Sequence, residues 1–108
     1  MKYNFVELIL TCEDQEEAQK IADSLLTQKL VACVEFIEIK SRFRWKEQIE
    51  NGDEIKLIMT TIADNYDKIE AEVKKLHSYE TFVLQQIPIT RLNNEAAEWL
   101  MEITSPRD

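Results

Sequence analysis

The hydrophobic pattern changes period in an orderly way along the chain. Phe5 to Leu10 is a nearly continuous apolar run, of the kind a strand shows when both of its faces are covered. Asp14 followed by Glu17 makes a capping-box-like start, and Ala18, Ile21, Ala22, Leu25, Leu26 and Leu30 then keep the three-and-four spacing of one helix face. From Val31 the period becomes two. Ile37, Ile39, Phe43 and Trp45 alternate with Glu38, Lys40, Arg42, Arg44 and Lys46, which describes a long strand with one apolar and one charged face.

The only glycine, Gly52, sits in the turn-like triplet Asn51-Gly52-Asp53, and Ile55, Leu57 and Met59 alternate after it. Residues near 31 to 46 and 53 to 62 therefore read as a hairpin, longer than a small domain usually requires. Asp64 is placed to cap a second helix carrying Tyr66, Ile69, Val73 and Leu76. Phe82 to Ile89 reads as a fourth strand with Pro88 near its end, as suits an edge. Asn93 or Asn94 opens a third helix through Ala97, Trp99, Leu100 and Ile103, stopped near Pro106.

The order β-α-β-β-α-β-α is that of an α+β, ferredoxin-like sandwich: an antiparallel four-stranded sheet with its helices on one face. Residues 1 to 108 form one domain, since a chain of 108 residues buries roughly 60 to 70% of its unfolded surface. The apolar strands and a hairpin carrying Phe43 and Trp45 beyond its neighbours leave more surface to cover than the helices can manage. Oligomerisation is the expected cover.

Charge and composition exclude some functions. With 21 acidic against 13 basic residues the formal charge is −8, which disfavours binding to nucleic acid or anionic lipid. No stretch approaches the roughly 18 apolar residues of a membrane span, and Met1-Lys2-Tyr3-Asn4 leads into the first strand without a cleavage site, so a cytoplasmic location is expected. The two cysteines, Cys12 and Cys33, read as reduced thiols, each a small buried hydrophobe unless it binds a ligand. A Gly-rich phosphate loop, G-x-S-x-G, CxxC and HExxH are all missing, so no enzyme is expected.

Three segments carry a family resemblance. Leu30-Val31-Ala32-Cys33-Val34, Ser41-Arg42-Phe43-Arg44-Trp45-Lys46 and Leu76-His77-Ser78-Tyr79-Glu80 stand in the order and spacing of "LAACV", "S-x-Y-x-W-K-G-x-I-E" and "LHPYE", so the chain resembles the CutA family of divalent-cation tolerance proteins. Pro88 in Gln86-Ile87-Pro88-Ile89 matches that family's "A-L-P-V", and Glu98-Trp99-Leu100 falls on its terminal helix. The resemblance runs from Val6 to about Trp99. It implies a homotrimer whose long hairpins pair across subunits, with weak binding of copper or another divalent metal at the inter-subunit clefts.

The ligand chemistry begins with soft donors. A thiolate and an imidazole suit copper or zinc, which makes Cys33, His77 and Glu80 the candidate metal set, completed if necessary by another subunit. His77 is the only histidine, and its place at the end of the second helix also suits a plain C-terminal cap or a hydrogen bond to a nearby carbonyl. Phe43, Trp45, Tyr79 and Trp99 are the candidate cleft or interface aromatics. The row Arg42, Arg44 and Lys46 has the spacing of an anion site or of a solvated strand face.

Departures from the family pattern bear on both structure and function. Glu35 replaces Asn, Glu38-Ile39 replaces a Pro-Gly break, Phe43 replaces Tyr, Glu47 replaces Gly, and Thr81-Phe82-Val83 follows the "HPYE" site. Without Pro and Gly the second strand should be unusually regular. Two functional readings follow: metal tolerance through cleft-bound cations, or a trimeric platform similar to PII-like signalling proteins that reports a small molecule or protein partner.

Overall fold

The computed structural model describes residues 3–106; Met1 and Lys2, read above as part of a lead-in without a cleavage site, lie outside the described residues. The elements are β1 (Phe5–Cys12), α1 (Gln15–Thr27), β2 (Cys33–Trp45), β3 (Gln48–Ile62), a short 3-10 turn, α2 (Tyr66–Leu76), β4 (Leu84–Pro88) and α3 (Asn94–Thr104). The sheet order β2-β3-β1-β4, antiparallel throughout, is the ferredoxin-like arrangement the pattern predicts.

Alternation along the strands divides the side chains between two faces. Val6, Leu8, Leu10 and Cys12 of β1 point with Ile55, Leu57 and Met59 of β3 into a core against Ala18, Ile21, Leu25, Ile69 and Val73 of α1 and α2. Phe5 and Ile62, paired across β1 and β3, point the other way and meet Ala97 and Leu100. The third helix thus lies on the opposite face, a correction to the expectation that all helices share one. It covers only a corner, and Glu7, Ile9 and Thr11 stay partly open.

Local chemistry explains where elements end. Asp14 caps α1 by accepting the Glu17 N–H at 2.9 Å, and the Glu17 carboxylate accepts the N–H of Glu13, one residue before the cap. The helix stops at Thr27 rather than running to Leu30. Lys29 at φ 61 closes a Schellman turn, with Lys29 N–H on Leu26 O and Leu30 N–H on Leu25 O, both at 3.0 Å. Asp64 is not a cap; it lies in the 3-10 turn, and Asn65 precedes α2 without a side-chain capping bond. The Asn65 amide instead donates to Leu30 O, Thr61 Oγ1 and Thr104 O.

The hairpin is long and unbroken, with β2 and β3 paired residue for residue from Cys33↔Thr60 to Trp45↔Gln48. No bend occurs at Glu38, as the loss of Pro and Gly predicts. The turn, however, is not at Gly52. Gly52 sits inside β3 opposite Ser41, and the chain reverses at Lys46-Glu47, whose φ values of 50° and 67° are those of a two-residue turn with both positions left-handed. Gly52 has a different use, since a Cβ there would stand 3.3 Å from the Glu54 side chain.

Beyond β1 the hairpin is a two-stranded ribbon. Ile37, Ile39, Phe43 and Trp45 line the face turned away from α1 and α2, and Ile37 and Phe43 remain 43% and 42% exposed. The charged face is tied within the ribbon, Lys40 to Asp53 and Arg42 to Asn51, each at 3.0 Å. Arg42, Arg44 and Lys46 are all exposed, so the basic row is a solvated face of the hairpin.

Candidate functional site

Helices α1 and α2 lie side by side, joined by the Ser24 hydroxyl donating to Glu72 at 2.7 Å. Their arrangement brings the start of α1, the end of α2 and the end of β1 to one place. Cys12, Glu17 and His77 meet there, one ligand atom of each lying within 4.8 Å of the others. Cys12 is fully buried, and the His77 and Glu17 side chains are 0% and 10% exposed.

His77 ends α2, its N–H closing the last turn on Val73 O at 2.8 Å. Its Nε2 lies 2.8 Å from Thr11 O, so this nitrogen carries the proton and donates, because a carbonyl only accepts. Nδ1 accepts the Tyr79 N–H at 3.1 Å and stands 3.7 Å from Glu17 Oε2. The ring is flanked by Tyr79 and Phe82 at centroid separations of 4.8 and 5.4 Å.

The electrostatics follow from this crowding. Burial first, then the negative charges of Glu17, Asp14 and Glu54, push the Cys12 thiol up to about 12. Burial also acts to raise Glu17, but the backbone N–H groups of Glu13 and Ser78, with His77 nearby, outweigh it and hold the carboxyl below its ordinary value. Tyr79 is raised by burial and by donating its hydroxyl proton to Glu54 Oε2 at 2.6 Å. The cluster is thus a protonated thiol beside an imidazole whose Nδ1 faces a carboxylate, in a negative surround.

The donor set fits a borderline divalent cation: thiolate and imidazole suit zinc and copper, and one carboxylate adds the charge to balance them. Of the candidate metal set Cys33, His77 and Glu80, only His77 lies in this cluster. Cys33 pairs with Thr60, level with Glu7 and on the other face, about 13 Å along the strand from Thr11. The Glu80 side chain is 70% exposed and faces Lys46 at 3.8 Å. Within one chain these three do not meet. Among the cleft aromatics, Phe43 and Trp99 are exposed, Trp45 packs under the Lys46 ammonium at 5.5 Å, and Tyr79 is engaged by His77 and Glu54.

Cys12 and Glu17 escape the sequence reading because each already has a sufficient role, as core thiol and as capping partner. The legible signal is topological. In a ferredoxin-like order the end of β1 and the end of α2 fall together, so residues flanking the β1–α1 junction belong beside His77.

Fold and site together define a class: an antiparallel α+β sandwich whose central hairpin outgrows the sheet, with a thiol, carboxylate and imidazole gathered at one end. Sequence comparison gives the family. Residues 6–103 match the family model described as CutA1 divalent ion tolerance protein, and the chain belongs to that family. The divalent-cation tolerance protein CutA of Archaeoglobus fulgidus is 39% identical over 100 residues, covering 93% of this chain and 96% of that protein. The solved structure of the A. fulgidus protein, described as periplasmic, superposes with a TM-score of 0.89 at 38% identity over 95% of this chain and 99% of that one. CutA1 of Oryza sativa gives a TM-score of 0.92 at 27% identity, covering 96% of each chain.

Proposed function

We propose that the protein contributes to divalent-cation tolerance as a homotrimer that binds copper or another borderline divalent ion weakly near its inter-subunit clefts, with His77 among the ligands. The observation that carries this reading is the gathering of Cys12, Glu17 and His77 within 4.8 Å, in a chain whose family is named for divalent ions. Support for assembly comes from the hairpin: β2 is an edge strand of 13 residues, and its apolar stripe is exposed. The number three rests on resemblance to the family. A reducing compartment such as the cytoplasm suits two free cysteines.

A second reading, a trimeric module that reports a small molecule or partner, draws on one observation. Both ring nitrogens of His77 already have partners within the chain. Native mass spectrometry before and after addition of copper or zinc separates the two. A trimer gaining about one metal per chain supports the tolerance reading. An empty trimer would transfer support to the signalling module, and a monomer would overturn the assembly.

A further inference from the structure

We infer that the cleft between the start of β1 and the loop from β4 to α3 binds a small organic carboxylate with an apolar body, held by the Arg91 guanidinium. The cleft has a volume of about 320 Å³ and is walled by residues 3–5 and 89–92. Phe5 opens β1 and Cys12 closes it, so the cleft stands about 23 Å along the strand from the Cys12, Glu17 and His77 cluster. It acts independently of any metal held there.

The chain builds this wall where two strands part. Val6↔Pro88 ends the antiparallel ladder of β1 and β4, and the Ile89 N–H still closes on Phe5 O at 2.9 Å. Past that bond, residues 90 to 92 turn away towards α3. Phe5 is buried, and Tyr3, Ile89 and Leu92 pack with it against the cluster that holds Ala97 and Leu100 of α3. The inner wall of the cleft is thus hydrocarbon fixed by packing, which is what the apolar body of a ligand needs.

The rim is polar. Asn4, Thr90 and Arg91 are exposed there, and among the described residues none of their side chains, nor the Tyr3 hydroxyl, has a hydrogen-bond or ion-pair partner. In a chain with 21 acidic residues, this lining contains none. A second cleft, on the outer side of α2, has the opposite character, with Asp67 and Glu70 beside a single Lys74.

The charge and the hydrocarbon together select the ligand. A guanidinium is always charged and presents a planar fork that matches a carboxylate through two N–H donors. Inorganic phosphate would satisfy the fork but leave Phe5, Ile89 and Leu92 unused, and a neutral hydrocarbon would leave the guanidinium without a partner. A carboxylate on an apolar body uses both. The chain's charge of −8 opposes any anion, but salt screens charges beyond about 8 Å, so a lining with one cation and no acid governs the contact.

Full-length protein titrated with benzoate, benzamide and inorganic phosphate, and followed through its backbone amides by NMR, tests the site. Benzoate should shift the amides of residues 3–5 and 89–92, saturating in the millimolar range that a ligand of its size allows. Benzamide keeps the ring and loses the charge, phosphate keeps charge and loses the ring, and each should bind at least fivefold more weakly. Arg91→Gln, an exposed position whose substitution leaves the fold intact, should weaken benzoate at least fivefold. Benzamide as tight as benzoate would reject carboxylate recognition, and phosphate as tight as benzoate would reject the apolar body. Full benzoate affinity in Arg91→Gln, shifts centred on Arg42, Arg44 and Lys46 instead, or no shifts at all would overturn the site.

Discussion

Asn65 is a buried polar side chain whose amide nitrogen donates to three acceptors, Leu30 O, Thr61 Oγ1 and Thr104 O. At 3% exposure its amide nitrogen ties the chain before β2 to the last turn of α3 through Leu30 O and Thr104 O. Replacing Asn65 with Ala removes the amide donor from Thr104 O, while Leu30 O keeps the Thr61 hydroxyl at 2.6 Å, and should cost about 1 to 3 kcal/mol, read by urea denaturation. Cys12 gives a pH dependence of definite sign. The thiol titrates at 9.0 when unperturbed and at about 12 when folded, so between these values the unfolded chain loses its proton first. Stability of the metal-free protein should therefore fall as pH rises through this window. Cys12→Ala should reduce the slope against wild type, whatever it does to the starting stability.

At the scale of elements, the hairpin turn carries strain that its sequence does not relieve. Lys46 and Glu47 both adopt positive φ without being glycine. Glu47→Gly should stabilise the protein by about 1 kcal/mol in the same denaturation assay, because a left-handed conformation costs an ordinary residue that much. His77 joins two other elements, the end of α2 and the end of β1, through one imidazole N–H. His77→Ala should lower stability by about 1 to 3 kcal/mol even in the absence of metal, since Thr11 O loses its side-chain donor. A variant as stable as wild type would show that this bond contributes nothing net.

For the whole molecule the decisive feature is surface left open by one chain. Among the described residues, Ile37 and Phe43 on the outer side of the ribbon remain 43% and 42% exposed, and α3 protects only the corner around Phe5 and Ile62. Ile37→Asp together with Phe43→Asp should shift the native mass spectrum from oligomer to monomer, while circular dichroism retains the α+β signature. An unchanged oligomer would move the interface elsewhere.

The sequence by itself determined the element order, the antiparallel sheet, the excess length of the hairpin and the regularity of β2, because these follow from periodicity and from where Pro and Gly are absent. Local pattern was less reliable where several conformations compete. Gly52 looked like a turn but lies in a strand, and the true turn at Lys46-Glu47 has no turn-forming residue to mark it. Asp64 had capping chemistry but not the capping position. Only the tertiary structure decided which face α3 covers and which ligands His77 can reach. Cys33 and His77 are both visible as soft donors, yet register and the two-faced pleat keep them apart. Cys12 and Glu17, hidden as core and cap, come together with His77 because the sheet topology brings the ends of β1 and α2 to the start of α1.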